Sequence, residues 1–172
     1  MICLFSGGSG SGKSELAERC AVRLSQKKGA PLLYFATMRV WDEEGERRVQ
    51  KHRAMREGRG FTTVESPSRL RTDVKDSVVL LECLSNRLAN AMFGDREADP
   101  VSLIRGEIEL LSRENDVVIV TNEVFSDGQD YERETAEYIR LLGRLNCLLA
   151  QAAQLVVESV YGIPVVHKGE LV

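Results

Sequence analysis

The stretch "GGSGSGKS", residues 7 to 14, constrains the chain more than any other. It lies between the apolar run "ICLF" (2 to 5) and a helical pattern from 13 to 27. Gly7, Gly12, Lys13 and Ser14 satisfy the spacing GxxxxGK[ST], and a strand before it with a helix after it is the context this pattern requires. Glycines let backbone N–H groups curl around phosphate oxygens, and the helix N-terminus adds a favourable dipole. Lys13 is then placed to reach the β- and γ-phosphates, and the Ser14 hydroxyl can ligate Mg²⁺. The loop marks a nucleoside triphosphate site. It leaves the reaction open, because kinases, switches and motors share it.

Around this loop, short apolar runs alternate with longer amphipathic stretches. "ICLF", "LLYFA" (32 to 36), "VVLLE" (78 to 82) and "VVIVT" (117 to 121) lack polar alternation, as strands covered on both faces of a parallel sheet do. Residues 13 to 27, 42 to 56, 84 to 93, 100 to 113 and 131 to 152 carry helical periodicity. The segment "LVVESVYGIPVVHKG" reads as a strand, a turn at Gly162 and Pro164, and a short terminal strand. The expected fold is therefore α/β, a three-layer P-loop NTPase fold with a mostly parallel central sheet and a short C-terminal strand pair. At 172 residues, with no repeat or linker, residues 1 to 172 are expected to form one nucleotide-binding domain.

A net charge of −3 argues against a general nucleic-acid or anionic-membrane binder. The start of the chain is too short and unflanked for a signal segment and no apolar run is long enough to span a bilayer, so a cytoplasmic protein is expected. Cys3, Cys20, Cys83 and Cys147 lie far apart within apolar segments, without metal-ligand spacing, and read as buried thiols.

Against that overall charge, "RRVQKHRAMREGR" (47 to 59) gathers six cationic residues around His52. The predicted helix from 42 begins with Asp42, Glu43, Glu44 and Glu46 and ends in arginines, an order that suits the helix macrodipole and fits a solvated surface helix. Arg48, His52 and Arg56 are four apart and share one face, where like charges repel unless an anion lies between them. Cationic neighbours disfavour the imidazolium, so the ring would be neutral and nucleophilic beside the phosphates it attacks.

The segments "GGSGSGKS", "YFATMRVWDEEGERRVQKHRAMR", "TVESP", "VVLLECLSN", "VVIVTNEV" and "GRLNCLLA", in this order and spacing, resemble the bifunctional adenosylcobinamide kinase / adenosylcobinamide-phosphate guanylyltransferase family of cobalamin biosynthesis. The resemblance spans essentially the whole chain, and its most specific piece runs from Ala36 and Thr37 through Asp42 and Glu44 to Arg48 and His52. It implies that His52 attacks the α-phosphate of GTP, carries GMP, and passes it to adenosylcobinamide phosphate to give adenosylcobinamide-GDP. It implies a kinase activity on adenosylcobinamide that uses Lys13, Ser14 and Mg²⁺, with ATP or GTP as donor. The nucleotide-binding positions it implies are Gly7, Gly8, Ser9, Gly10, Ser11, Gly12, Lys13 and Ser14, then Ala36, Thr37 and Met38, then Arg53, Ala54, Met55 and Arg56, and finally Glu65 and Glu82. It also implies a homo-oligomer, a trimer.

Other residues have competing readings. Glu82 ends a buried strand and reads as a metal ligand beside Ser14, on the expectation that the P-loop strand is its neighbour. Asn122 and Glu123 close another strand and equally suit a turn cap. Arg140 and Arg144 share a surface face of the last helix, His167 reads as structural or exposed, and Trp41 packs or stacks. The enzyme alternative is a P-loop kinase of another small hydroxylated metabolite, and the non-enzymatic one is a nucleotide-dependent switch.

Overall fold

The computed structural model describes residues 1–39, 58–126 and 128–171. The elements are β1 (Ile2–Ser6), α1 (Lys13–Lys28), β2 (Leu32–Ala36), β3 (Phe61–Glu65), β4 (Val78–Glu82), α2 (Leu84–Ala89), α3 (Pro100–Ser112), β5 (Asp116–Val120), α4 (Arg133–Ala152), β6 (Leu155–Val160) and β7 (Ile163–Lys168). A single π-type turn, Asn90–Gly94, extends α2. The strands form one seven-stranded sheet in the order β3-β2-β4-β5-β1-β6-β7. Every neighbouring pair is parallel except β6 with β7.

The apolar runs become strands because helices cover both sides of the sheet. On one face Leu16, Ala17, Cys20, Ala21 and Leu24 of α1 recur at helical spacing and pack on Cys3, Phe5, Tyr34, Leu80, Val118 and Val157. On the other, Leu84 and Leu88, then Val101, Ile104, Ile108 and Leu111, then Leu142, Leu145 and Leu149 cover Ile2, Leu4, Phe35, Val79, Leu81, Val117 and Ile119. Alternate residues of each strand thus serve opposite layers. α3 starts where Pro100 takes the first helical position and the Asp99 side chain accepts from the Ser102 N–H at 3.1 Å.

The expected fold class is borne out, with local differences. β3 was not among the expected strands: "FTTVE" lies at the edge of the sheet with Thr62, Thr63 and Glu65 exposed, so it lacks a continuous apolar signature. Pro164 lies within β7, opposite Ser159, and the turn is Tyr161 and Gly162 instead. An outer strand tolerates a residue with no N–H to donate. β4 is not the neighbour of β1, since β5 runs between them. Cys3 and Cys20 are buried as expected, whereas Cys83 is half-buried and Cys147 exposed, on the outward side of an α4 whose inward stripe is Leu142, Leu145 and Leu149. The expected helix from 42 to 56 lies outside the described residues.

Candidate nucleotide site

The loop between β1 and α1 has the backbone its sequence demands. Gly12, immediately before α1, has φ +87°, and a Cβ there would come within 3.1 Å of the Gly162 Cα. The left-handed backbone strains any other residue here, and the close approach of the hairpin leaves a Cβ little room. Lys13 is the first residue of α1 and is buried, with Nζ donating to the Gly8 carbonyl at 2.9 Å. Burial pushes its pKa below that of an ordinary lysine, while Cys83 and Glu82 nearby pull it back up. Its ammonium is therefore held over the loop by a carbonyl, a contact that phosphate oxygens can replace.

The carboxyl ends of the strands form the adjoining floor. Register aligns Phe5, Val120, Glu82, Ala36 and Glu65 in one row across β1, β5, β4, β2 and β3. Two of the expected nucleotide contacts, Glu82 and Glu65, thus flank a third, Ala36. Glu82 is buried, and its Oε1 accepts from Ser14 Oγ at 2.6 Å while Oε2 accepts from Tyr34 OH at 3.1 Å. α1 brings Ser14 across to β4 despite the intervening strand. Glu65 is exposed at the far end of the row.

Thr37 follows β2 and is fully buried. Its Oγ1 donates to the Cys83 carbonyl at 2.9 Å, and its N–H donates to the Glu82 carbonyl at 3.2 Å. Asn90 Nδ2 donates to the Thr37 carbonyl at 2.7 Å and to the Pro67 carbonyl at 2.8 Å. Thr37 therefore ties the end of β2 to the end of β4, with its hydroxyl directed into the scaffold. Met38 is half-buried beside it. Tyr34 and Asn90 escape sequence reasoning because their partners are distant in the chain.

On the other side of β1 the β6–β7 hairpin supports the loop. Ser159 Oγ donates to the Ser11 carbonyl at 2.6 Å, and the Gly162 N–H donates to the same oxygen at 2.8 Å. Glu123 behaves as a turn cap, its Oε1 accepting from the Phe125 N–H at 2.8 Å and from Ser126 Oγ at 2.9 Å. Asn122 Nδ2 instead reaches Ser85 Oγ at 2.7 Å and anchors the start of α2. Arg140 and Arg144 are exposed, Arg140 pairing with Glu137, as their surface reading requires. His167 is exposed on β7 and meets Glu158 at 2.9 Å.

Among the described residues there is no cluster of three or more His, Cys, Asp or Glu suited to a metal ion. A hydroxyl beside one carboxylate, as Ser14 and Glu82 provide, still fits Mg²⁺, which keeps several waters and takes its other ligands from substrate phosphates. His52, Arg53, Ala54, Met55 and Arg56, with Trp41, lie outside the described residues. No helix among the described residues is long and apolar enough to cross a membrane.

Solved structures share the architecture. The flagellar accessory protein FlaH of Methanocaldococcus jannaschii superposes with a TM-score of 0.50 at 10% identity, covering 98% of this chain and 78% of that one. An ATPase domain gives 0.51 at 13% identity, covering 91% of this chain and 68% of that domain. Likeness at such identities shows the fold alone.

The sequence relatives carry more. The bifunctional adenosylcobalamin biosynthesis protein CobU of Escherichia coli is 34% identical over 184 residues, 96% of this chain and 98% of that protein. The CobP protein of the same description from Pseudomonas aeruginosa is 31% identical over 177 residues, 97% of each. The family model described as cobinamide kinase / cobinamide phosphate guanyltransferase matches residues 3–167, which takes in the phosphate loop, the row from Phe5 to Glu65 and nearly all of the hairpin behind them. The chain therefore belongs to the cobinamide kinase / cobinamide phosphate guanyltransferase family.

Proposed function

We propose that this protein phosphorylates adenosylcobinamide and then transfers GMP from GTP to the resulting adenosylcobinamide phosphate. The observation that carries the reading is the joining of Lys13, Ser14 and Glu82 at the carboxyl edge of the sheet, in a chain whose family model runs almost from end to end. In the kinase reaction the corrinoid hydroxyl oxygen attacks the γ-phosphorus, the bond to the β-phosphate oxygen breaks, and the hydroxyl proton is lost to solvent. Lys13 and the loop N–H groups neutralise charge on the departing diphosphate. Ser14 and Glu82 would hold Mg²⁺, which when bound would offset the negative charge of the phosphates.

In the guanylyl reaction a ring nitrogen of His52 attacks the α-phosphorus of GTP. An N–P bond forms and pyrophosphate leaves. A phosphate oxygen of adenosylcobinamide phosphate then attacks the same phosphorus, breaking the N–P bond and giving adenosylcobinamide-GDP. One histidine serves as nucleophile and then as leaving group. Arg53, Ala54, Met55 and Arg56 contact the nucleotide, as do Ala36, Thr37, Met38 and Glu65; the sequence spacing and the row from Glu82 to Glu65 support this assignment. GTP or ATP donates the kinase phosphate. The protein works in the cytoplasm as a homotrimer, in line with the family resemblance.

GTP labelled at either phosphate tests both halves. With adenosylcobinamide present, γ-label is expected in adenosylcobinamide phosphate and α-label in adenosylcobinamide-GDP. Corrinoid that acquires neither label contradicts the proposal, and γ-label on a different hydroxylated metabolite favours a kinase of another substrate.

A further inference from the structure

The β6–β7 turn carries a side chain for which neither transfer step has a use. Val160 and Ile163 pair across the hairpin, so Tyr161 and Gly162 are its two central residues. Their φ angles are +52° and +79°. Two-residue turns with both central residues at positive φ favour Asn-Gly, Asp-Gly or Gly-Gly, because a Cβ is crowded in the left-handed region. Tyrosine is a costly choice at the first of these positions. Packing does not compensate, since Tyr161 is 94% exposed whereas Tyr34 is 4% exposed. A non-glycine residue held in left-handed backbone beside a ligand loop suggests a role in binding.

The place of the turn says what that role is. Ser159 and Gly162 both donate to the Ser11 carbonyl, and Gly162 packs against Gly12, so Tyr161 is one residue from the backbone that touches the phosphate loop. β6 and β4 lie on opposite sides of β1 in the sheet, so the turn and Glu82 form opposite flanks of the loop. A triphosphate is an unbranched chain. With its terminal phosphate beside Lys13 and the Ser14–Glu82 pair, a phosphoryl donor has room to run across the loop toward the hairpin, away from the Ala36–Glu65 flank assigned to the guanylyl step.

The geometry points to Tyr161 as the residue on which the base of the phosphoryl-donor nucleotide stacks. Contact with a π-face does not distinguish guanine from adenine, so this flank accepts either purine. The assignment rests on the reading of residues 7 to 14 as a phosphate site.

Equilibrium binding of three probes tests it: β,γ-imido-GTP, β,γ-imido-ATP and inorganic tripolyphosphate, which has no base. Asn suits the turn better than Tyr, so Tyr161→Asn is expected to melt no lower than the wild type. It is expected to bind both nucleotides at least about fivefold more weakly, with tripolyphosphate unchanged. Tyr161→Phe keeps the ring and stays within about twofold of the wild type for all three. Unchanged nucleotide affinity in Tyr161→Asn overturns the assignment, and so does an equal loss for tripolyphosphate, which would make the turn only a prop for the loop. Lys13→Ala separates the underlying reading: nucleotide binding that survives this change sinks the phosphate site itself and the stacking with it.

Discussion

Two buried carboxylates occupy opposite ends of the parallel sheet, Glu82 closing β4 and Asp116 opening β5, and they are satisfied differently. At the amino end, burial works against the charge of Asp116, yet the Lys28 ammonium at 2.5 Å holds its carboxyl below the usual range. At the carboxyl end, Glu82 accepts hydrogens from the hydroxyls of Ser14 and Tyr34. A cation matched to a carboxylate completes a structural pair. Hydroxyls can turn away when a metal ion or phosphate arrives. The difference teaches that depth of burial does not identify the functional carboxylate; its place at the strand ends beside the phosphate loop does.

That contrast can be broken at several points. The largest effect is expected at the loop, where Lys13→Ala lowers both transfer rates by about 100-fold or more, as loss of a preorganised charge at a reacting phosphate does. Steady-state assays of each half measure it, and a loss below tenfold would remove the loop from the chemistry. Next, Glu82→Gln keeps one acceptor oxygen and presents an NH₂ that the other hydroxyl can accept from, while weakening the proposed hold on Mg²⁺, so activity is expected to fall by roughly 10- to 100-fold with little change in the thermal midpoint.

Asp116→Asn is the counterpart. Urea titration is expected to show a loss of about 1.5–3 kcal/mol, the range for a hydrogen bond to a charged group, with both transfer rates near wild type. Should Asp116→Asn reduce activity more than stability, the two ends would not differ as described. The smallest expected effect is on pH dependence. Because the folded carboxyl of Asp116 ionises below its unfolded value, its contribution is fully present above the ordinary aspartate range and is lost as pH falls through the lowered value. Asp116→Asn is expected to flatten that part of the acid limb in a stability titration, and an identical limb in both proteins would contradict the pairing.

How much of this was legible in the sequence follows from how local each feature is. The loop from Gly7 to Ser14 is written in eight consecutive residues, and the strand and helix beside it follow from their own periodicities. Glu82 was readable as a strand-end carboxylate, but the reason expected for it, a P-loop strand next door, does not hold: α1 carries Ser14 over the intervening β5. The support from Ser159 and Gly162 joins residues about 150 apart in the chain, and nothing local announces it. Tyr34 reads as one more core residue until the register places its hydroxyl at Glu82. β3 was missed because its pattern is half polar, as suits the edge of the sheet. The basic stretch around His52 is the reverse case, in which the charge order and the fourfold spacing speak through the sequence alone.

The central claim is that His52 carries GMP between two transfers. Its most direct measurement is intact-protein mass spectrometry after incubation with GTP and Mg²⁺ in the absence of any corrinoid, followed by peptide mapping. The expected result is one added GMP per chain, acid-labile and base-stable, located on His52, absent in His52→Ala, and discharged on addition of adenosylcobinamide phosphate. A chain that makes adenosylcobinamide-GDP at full rate as His52→Ala, or that never acquires the adduct, would contradict the account.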